Sequence, residues 1–428
     1  MGSPRDEHGP WHEAAQVSPS AACRHHRRQQ EGREGQPTAP KTSEASEDSD
    51  DKPVIWVELF FDLVFVLAVT EVSALLRAEP SWAGAGRALL VFVPLYWAWI
   101  GTSVHTNTHD VDNPLDRVGV LTLGLCSLFM ALATLEAYTG RGVLFGGAYL
   151  ALRAILVALI WRGHHLVPVP FLTQVFITGP LLVVGALLQG VAQLALWSLA
   201  AVVDLATPML FRELLARTSF HPGHLPERFS LFVIILLGEA IVAVGAPAAT
   251  AGHLSPGTGV AITVAFTLAC VLGWIYFEFA TPIVQRALAI ARVQTDIVRT
   301  GLSYAHLGLI AAIIAVASGL ATVVASPGQH LDLTSASFLC GGCALYLATF
   351  GVIRARLSHA VAPLFPAGAS LTTLAVLPLA THTSALVALG IVTIILVMFT
   401  VLEHVVVRRT HAEEVTSTFT PPSTPSPP

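Results

Sequence analysis

The amino-acid sequence predicts an all-α fold, a polytopic membrane helix bundle of about twelve transmembrane helices arranged as two parallel six-helix halves. Three observations carry this. Of 428 residues 54% are apolar and only 12% are charged, with a mean hydropathy of +0.66, whereas an ordinary soluble domain is about 25% charged. Apolar runs of about 20 residues, the length that crosses a bilayer, recur between residues 56 and 406 with short polar loops between them. Arginine is shared unequally between alternate loops, as expected of a chain that crosses a membrane many times.

Residues 1–52 are polar, rich in His, Arg, Glu and Ser, and contain no apolar run that could serve as a signal-peptide core. They are expected to form a disordered cytoplasmic leader. The net charge of −5 reflects the acid run SEASEDSDD in this leader, and no basic surface for nucleic acid is implied. The first half follows over 53–226, with spans near 56–77, 86–106, 116–138, 143–162, 169–189 and 191–211. The second half, 227–407, has spans near 228–247, 257–280, 301–325, 333–353, 363–381 and 384–406. Pro180 interrupts the fifth span and Pro378 the eleventh. The tail, 408–428, ends TPPSTPSPP, which cannot form helix and is expected to be disordered.

With the N-terminus inside, the cytoplasmic side receives Arg117, Arg162, Arg212, Arg217, Arg228, Arg286, Arg292, Arg299, Arg354, Arg356, Arg408 and Arg409, and the outside only Arg77, Arg87 and Arg141. This bias places both termini in the cytoplasm and the protein in the plasma membrane. The two halves echo one another: ELFFDLVFV opens span one and ERFSLFVII span seven, while YWAWIGT in span two parallels GWIYFEF in span eight. Repeats separated by an even number of spans run in the same direction, hence the parallel arrangement. The five cysteines are scattered, and Cys340 and Cys343 lie inside a span beside two glycines. They read as packing residues at a close helix contact.

Function is sought in the polar residues that the apolar spans carry. Glu58 and Asp62 are four residues apart in WVELFFDLVFVLA, so on a helix they share one face, about 6 Å apart. Facing lipid they would be costly, so that face should look toward protein, water or a cation. A plain helix start, with acids stabilised by the dipole, fits equally well. His105, His109, Asp110, Asp112 and Asp116 fall at the cytoplasmic turn between spans two and three, and Asp204 about two turns inside span six. His221, His224, Glu227 and Arg228 precede or open span seven, and Glu239 lies near mid-membrane. Glu278 ends span eight, where the helix dipole disfavours an acid, so a cationic partner is expected. Arg292, Arg299 and His306 recur every seven residues and should form one stripe.

The strings WVELFFDLVFV (56–66), HLPERFSLFVIILLGEAIVAVG (224–245), GWIYFEF (273–279) and YAHLGLIAAIIAVASG (304–319) resemble the bacterial low temperature requirement A family over about residues 54–406. The resemblance implies a multi-pass membrane protein whose recurring polar positions match Glu58, Asp62, His224, Glu227, Arg228, Glu239, Glu278 and His306. Glu278 stands where an aspartate is common, a conservative departure.

Two function classes fit. In the first, a metal-dependent lyase or transferase, Glu58, Asp62, Glu239 and Glu278 hold Mg²⁺ through oxygen, and an arginine such as Arg228, Arg292 or Arg299 binds the diphosphate of an isoprenoid or related lipid. Asp62, Glu227, Arg228 and His306 would then be catalytic. Phe61, Trp274 and Tyr276, with Phe60, Phe65, Trp97, Trp99, Phe232 and Phe277, would line an apolar chamber, although aromatics at helical spacing are more often packing or interfacial belt. In the second class the same residues form a proton- or ion-coupled path, and two parallel six-span halves are a familiar transporter layout. The concentration of polar residues at the cytoplasmic side favours the enzyme slightly. Either class expects the lipid bilayer and a small-molecule or lipid substrate as partners.

Overall fold

The computed structural model describes residues 54–111, 113–163, 168–250, 254–357 and 364–419, with backbone alone for 239, 243, 246–248, 250, 364 and 407–419. The expected leader lies outside the described residues. Among the described residues twelve longer helices follow, besides the single turn Arg212–Leu215: α1 (Trp56–Ala78), α2 (Trp82–Thr108), α3 (Pro114–Thr134), α4 (Gly142–Gly163), α5 (Val169–Leu188), α6 (Gly190–Leu210), α7 (His224–Thr250), α8 (Pro256–Ile290), α9 (Gln294–Ala325), α10 (Leu333–Leu357), α11 (Phe365–Ala380) and α12 (Ala385–Phe419). Among the described residues only an isolated bridge between His330 and Ser384 has β character, so the all-α expectation holds.

Ten of these helices are long and apolar enough to cross a membrane, against the twelve expected. The shortfall falls on α7, several of whose side chains lie outside the described residues, and on α11, which is shorter. The end of the chain also differs from expectation, since α12 continues to Phe419. Residues 408–419 contain neither Gly nor Pro, and the first proline of the tail is Pro421, so nothing in the covalent chain stops the helix at 407.

The two expected interruptions are resolved locally. Pro180 and Pro378 each occupy the first turn of a new helical stretch, Gly179–Leu188 and Leu377–Ala380, where the missing N–H is no loss. A wider π turn, Gln174–Thr178, precedes the first of them, and Ile275–Ala280 likewise precedes Pro282. Val298–Tyr304 and Ser337–Gly341 are wound the same way. Such turns rotate the residues beyond them relative to an α-helical register.

In the first set of six, α1 packs on α2 and α3, α3 on α4, α4 on α5, α5 on α6, and α6 returns to α2. In the second, α7 packs on α8 and α9, α9 on α10, α10 on α11, and α12 closes on both α11 and α8. The sets meet where α1 and α2 face α7 and α9. Close approach depends on glycine at two of these contacts. A Cβ on Gly146 of α4 would stand 2.8 Å from the Val183 nitrogen of α5, and one on Gly319 of α9 2.8 Å from the Leu339 nitrogen of α10. Cys340 and Cys343 are buried free thiols within α10, in keeping with a packing role. The central helix α2 is mostly buried, and its polar C-terminal turns, TSVHTNT, are carried into the interior with Thr102, Ser103, His105, Thr106 and Asn107 all buried.

Candidate functional site

Those turns of α2 meet the N-terminal turns of α1 and α7 at one end of the bundle. Glu58 and Asp62, one turn apart on α1, both point inward and have no exposed surface. The lipid-averse face expected from their spacing is therefore filled by protein. Arg228 of α7 lies against them, also without exposure. Its Nη2 donates to Asp62 Oδ1 at 3.0 Å and its Nε to Asp62 Oδ2 at 3.3 Å, while Nη1 donates to Glu58 Oε1 at 3.2 Å and to the Thr106 hydroxyl of α2. The guanidinium fork suits this double duty, which a point-like ammonium could not perform.

The remaining acceptor positions are also supplied. Trp99 Nε1 donates to Asp62 Oδ1 at 2.7 Å. Glu58 Oε2 accepts from the Ile55 backbone N–H at 3.1 Å and lies 3.0 Å from His224 Nε2. On its far side, His224 Nδ1 lies 3.1 Å from Asn107 Nδ2. The Asn107 amide is itself oriented by the chain before α7: its Oδ1 accepts from His221 N at 3.1 Å, and its Nδ2 donates to His221 O at 3.3 Å. With Nδ2 thus fixed as a donor, His224 Nδ1 accepts and its proton sits on Nε2, aimed at Glu58.

Aromatic rings close the centre. The Arg228 guanidinium carbon lies 5.7 Å from the Phe61 ring and 5.9 Å from that of Trp99. Trp99 stacks on Phe232 at 4.3 Å and meets Phe229 edge-on at 4.7 Å. Beyond Phe229, at 4.7 Å, is His306 of α9. Its Nδ1 donates to Gly301 O at 2.8 Å, which leaves Nε2 to accept from Tyr276 Oη at 2.8 Å. His306 and Tyr276 therefore form a second buried pair, separated from the acids by aromatic rings.

The sequence-nominated residues divide accordingly. Glu58, Asp62, Phe61 and Arg228 converge, with His224 added; His306 and Tyr276 are near but apart. Glu227, Trp274, Glu278 and Arg292 are exposed, so the ionic partner expected for Glu278 is not required by burial. Phe60 and Phe277 also face outward, Phe61 packs on Phe65 and Trp99 on Phe232, and Trp97 lines a separate cleft. The side chain of Glu239 lies outside the described residues, as does Asp112. The seven-residue stripe is broken for two reasons: Arg292 precedes α9 in an extended link, and the π turn Val298–Tyr304 rotates Arg299 away from His306. Arg299 lines a separate cleft with Arg153. Among the described residues no group of three or more His, Cys, Asp or Glu is arranged to hold a metal ion.

Sequence reasoning missed Thr106 and Asn107, which complete the centre. The available signal was the density of polar residues in TSVHTNTHD at the end of an otherwise apolar helix. Nearby, Asp116 of α3 joins Arg162 of α4 at 2.7 Å and His109 at 3.1 Å, a smaller network tying three helices together at this end.

Residues 53–401 match the family described as bacterial low temperature requirement A protein. An uncharacterized protein of Rhizobium meliloti (strain 1021) is 31% identical over 311 residues, covering 68% of this chain and 74% of the relative. No solved structure matches. The chain is a multi-pass membrane protein and belongs to the bacterial low temperature requirement A family.

Proposed function

We propose that the Glu58–Asp62–Arg228–His224 centre is the proton-binding element of a proton-coupled transporter or channel. The observation that supports this is a charge count. Asn107 holds His224 in its neutral tautomer, so two carboxylates face one guanidinium in a site with no exposed surface. An unbalanced charge in such a place is costly, and one bound cation equivalent removes it. A proton needs no coordination space of its own, whereas a metal ion would need oxygen positions that already face Arg228, Trp99, His224 and the Ile55 N–H.

The charged and titratable groups facing this proton are Glu58 and Asp62 from α1, and His224 and Arg228 from α7. From α2 come the neutral Trp99, Thr106 and Asn107, and on the α9 side His306 stands behind Phe229. The matching order of helix neighbours in the two sets supports a parallel repeat, and the arginine distribution supports a cytoplasmic location for the centre. The metal-dependent lyase reading would require Arg228 and His224 to leave before Glu58 and Asp62 could ligate Mg²⁺.

The test has two parts. Infrared spectra of the purified protein should contain a buried carboxylic-acid C=O band that disappears in either Glu58→Gln or Asp62→Asn. Proteoliposomes loaded with a pH-sensitive dye should admit protons under a membrane potential, and Asp62→Asn should slow this about tenfold or more. Absence of the band together with wild-type proton entry in Asp62→Asn would overturn the reading, as would turnover of an isoprenoid diphosphate that depends on Mg²⁺ and on both acids.

A further inference from the structure

Arg153 lies halfway along α4, is 1% exposed, and has no hydrogen-bond partner for Nε, Nη1 or Nη2. Its guanidinium lies 4.9 Å from the ring of Tyr149, one turn earlier. The buried Asp204 of α6 is close enough to feel its charge. That carboxylate nevertheless takes its hydrogen bonds elsewhere, from Tyr149 Oη at 2.8 and 3.0 Å and from Thr178 Oγ1 at 3.0 Å. A guanidinium has donors only, and buried donors are ordinarily satisfied. An ionisable group this deep in a membrane helix is costly and marks a site by default.

Arg153 faces an open cleft between α2, α4, α5, α6 and the start of α9. Two further lining residues bring unsatisfied polar atoms: Gln174 through Oε1, and Arg299 through Nε and Nη1. Arg299 spends its remaining nitrogen, Nη2, on Asp296 at 2.7 Å. The rest of the wall is largely apolar, with Trp97, Phe171 and Phe220 as its largest members. Gly101 of α2 leaves room for the guanidinium, since a Cβ there would stand 2.6 Å from Arg153 Nη1.

We infer that this cleft binds an amphipathic anion, with an oxyanion head, carboxylate or phosphate, held between Arg153 and Arg299 and a hydrocarbon tail along Trp97, Phe171 and Phe220. Unsatisfied nitrogens on two guanidinia call for acceptors with negative charge. An apolar wall with a few convergent polar groups is the usual make-up of a small-ligand site. The cleft shares α2 with the acid centre but none of its residues, and the inference stands whether or not that centre binds a proton.

The full-length protein in phosphatidylcholine nanodiscs is titrated by calorimetry with dodecyl phosphate, laurate, dodecanol and inorganic phosphate. Dodecyl phosphate or laurate binds saturably and raises the melting temperature, and the tighter of the two identifies the head. Dodecanol and inorganic phosphate each bind at least about tenfold more weakly, as loss of a charge-assisted contact or of the tail demands. Arg299→Met, Arg153→Lys and Gly101→Ala each weaken the amphiphile about tenfold or more. Arg299→Met tests the head without disturbing Asp204, and Gly101→Ala keeps every charge, so circular dichroism and gel filtration of these two separate loss of binding from loss of fold. Failure of both amphiphiles to bind, equal binding of dodecanol or of phosphate alone, or wild-type affinity in the folded variants overturns the inference.

Discussion

Arg228 answers two carboxylates that α1 stacks one turn apart, and every nitrogen of its guanidinium is engaged. Removing one partner of a buried charge network leaves the others uncompensated, a loss of about 3–5 kcal/mol. Arg228→Leu should therefore unfold the purified protein at markedly lower temperature, and Arg228→Lys should recover little, because one ammonium cannot fork onto both acids. A lysine variant as stable as wild type would show that charge alone suffices. The inward face of Glu58 and Asp62 was legible from four-residue spacing in an apolar run. Their partners were not, because which helices present Trp99 and Arg228 to the acids is decided by packing across 37 to 170 residues of chain. Glu227, adjacent to Arg228, looked equally functional; successive helical residues differ by about 100°, which turns one out as the other goes in.

Helix ends and helix contacts carry their own tests. Asp332 caps α10, its carboxylate accepting from Thr334 N at 2.9 Å and Ser335 N at 3.1 Å. Partial burial pushes its pKa up, but the hydrogen bonds from Ser335 and Thr334 outweigh this and hold it below the usual aspartate value. The cap's contribution is thus present above the unfolded-state pKa of about 3.9 and is lost as pH falls through the lower folded value. Asp332→Ala should cost about 1 kcal/mol at neutral pH, and thermal melts of the two proteins should converge at acid pH. Gly319 meets backbone instead of a movable side chain, so Gly319→Ala should destabilise by about 1–3 kcal/mol. If that variant melts as wild type does, α9 and α10 are free to separate. Glycine and cysteine in CGGC pointed correctly to close packing at α10. The π turns carried no comparable signal: Val298–Tyr304 is an unremarkable string, and the register it shifts defeated the Arg292–Arg299–His306 stripe.

Across the whole molecule, polar contacts between distant segments constrain how the chain runs. Asn107, His221, His224 and Glu58 bring the end of α2 and the starts of α1 and α7 together, so an even number of passages separates the starts of α1 and α7. In the second set, Ala385 N donates to Gln329 O at 2.7 Å, placing the starts of α10 and α12 side by side. Arg354 joins Glu403, each about five to six turns beyond the start of its helix, so α10 and α12 run in the same direction. The chain must therefore return between Leu357 and Ala385, and α11 is the helix available to carry it. Its sequence left this obscure, because Pro366 and Pro378 shorten the apolar run that signals a span. The expected outcome is that Arg356→Cys and His382→Cys, both exposed positions, react with a membrane-impermeant maleimide from opposite faces. In intact cells His382→Cys should be labelled and Arg356→Cys only after lysis, in line with the arginine bias. Labelling of both from the same face would make α11 a re-entrant segment and remove the basis for counting six passages in the second set.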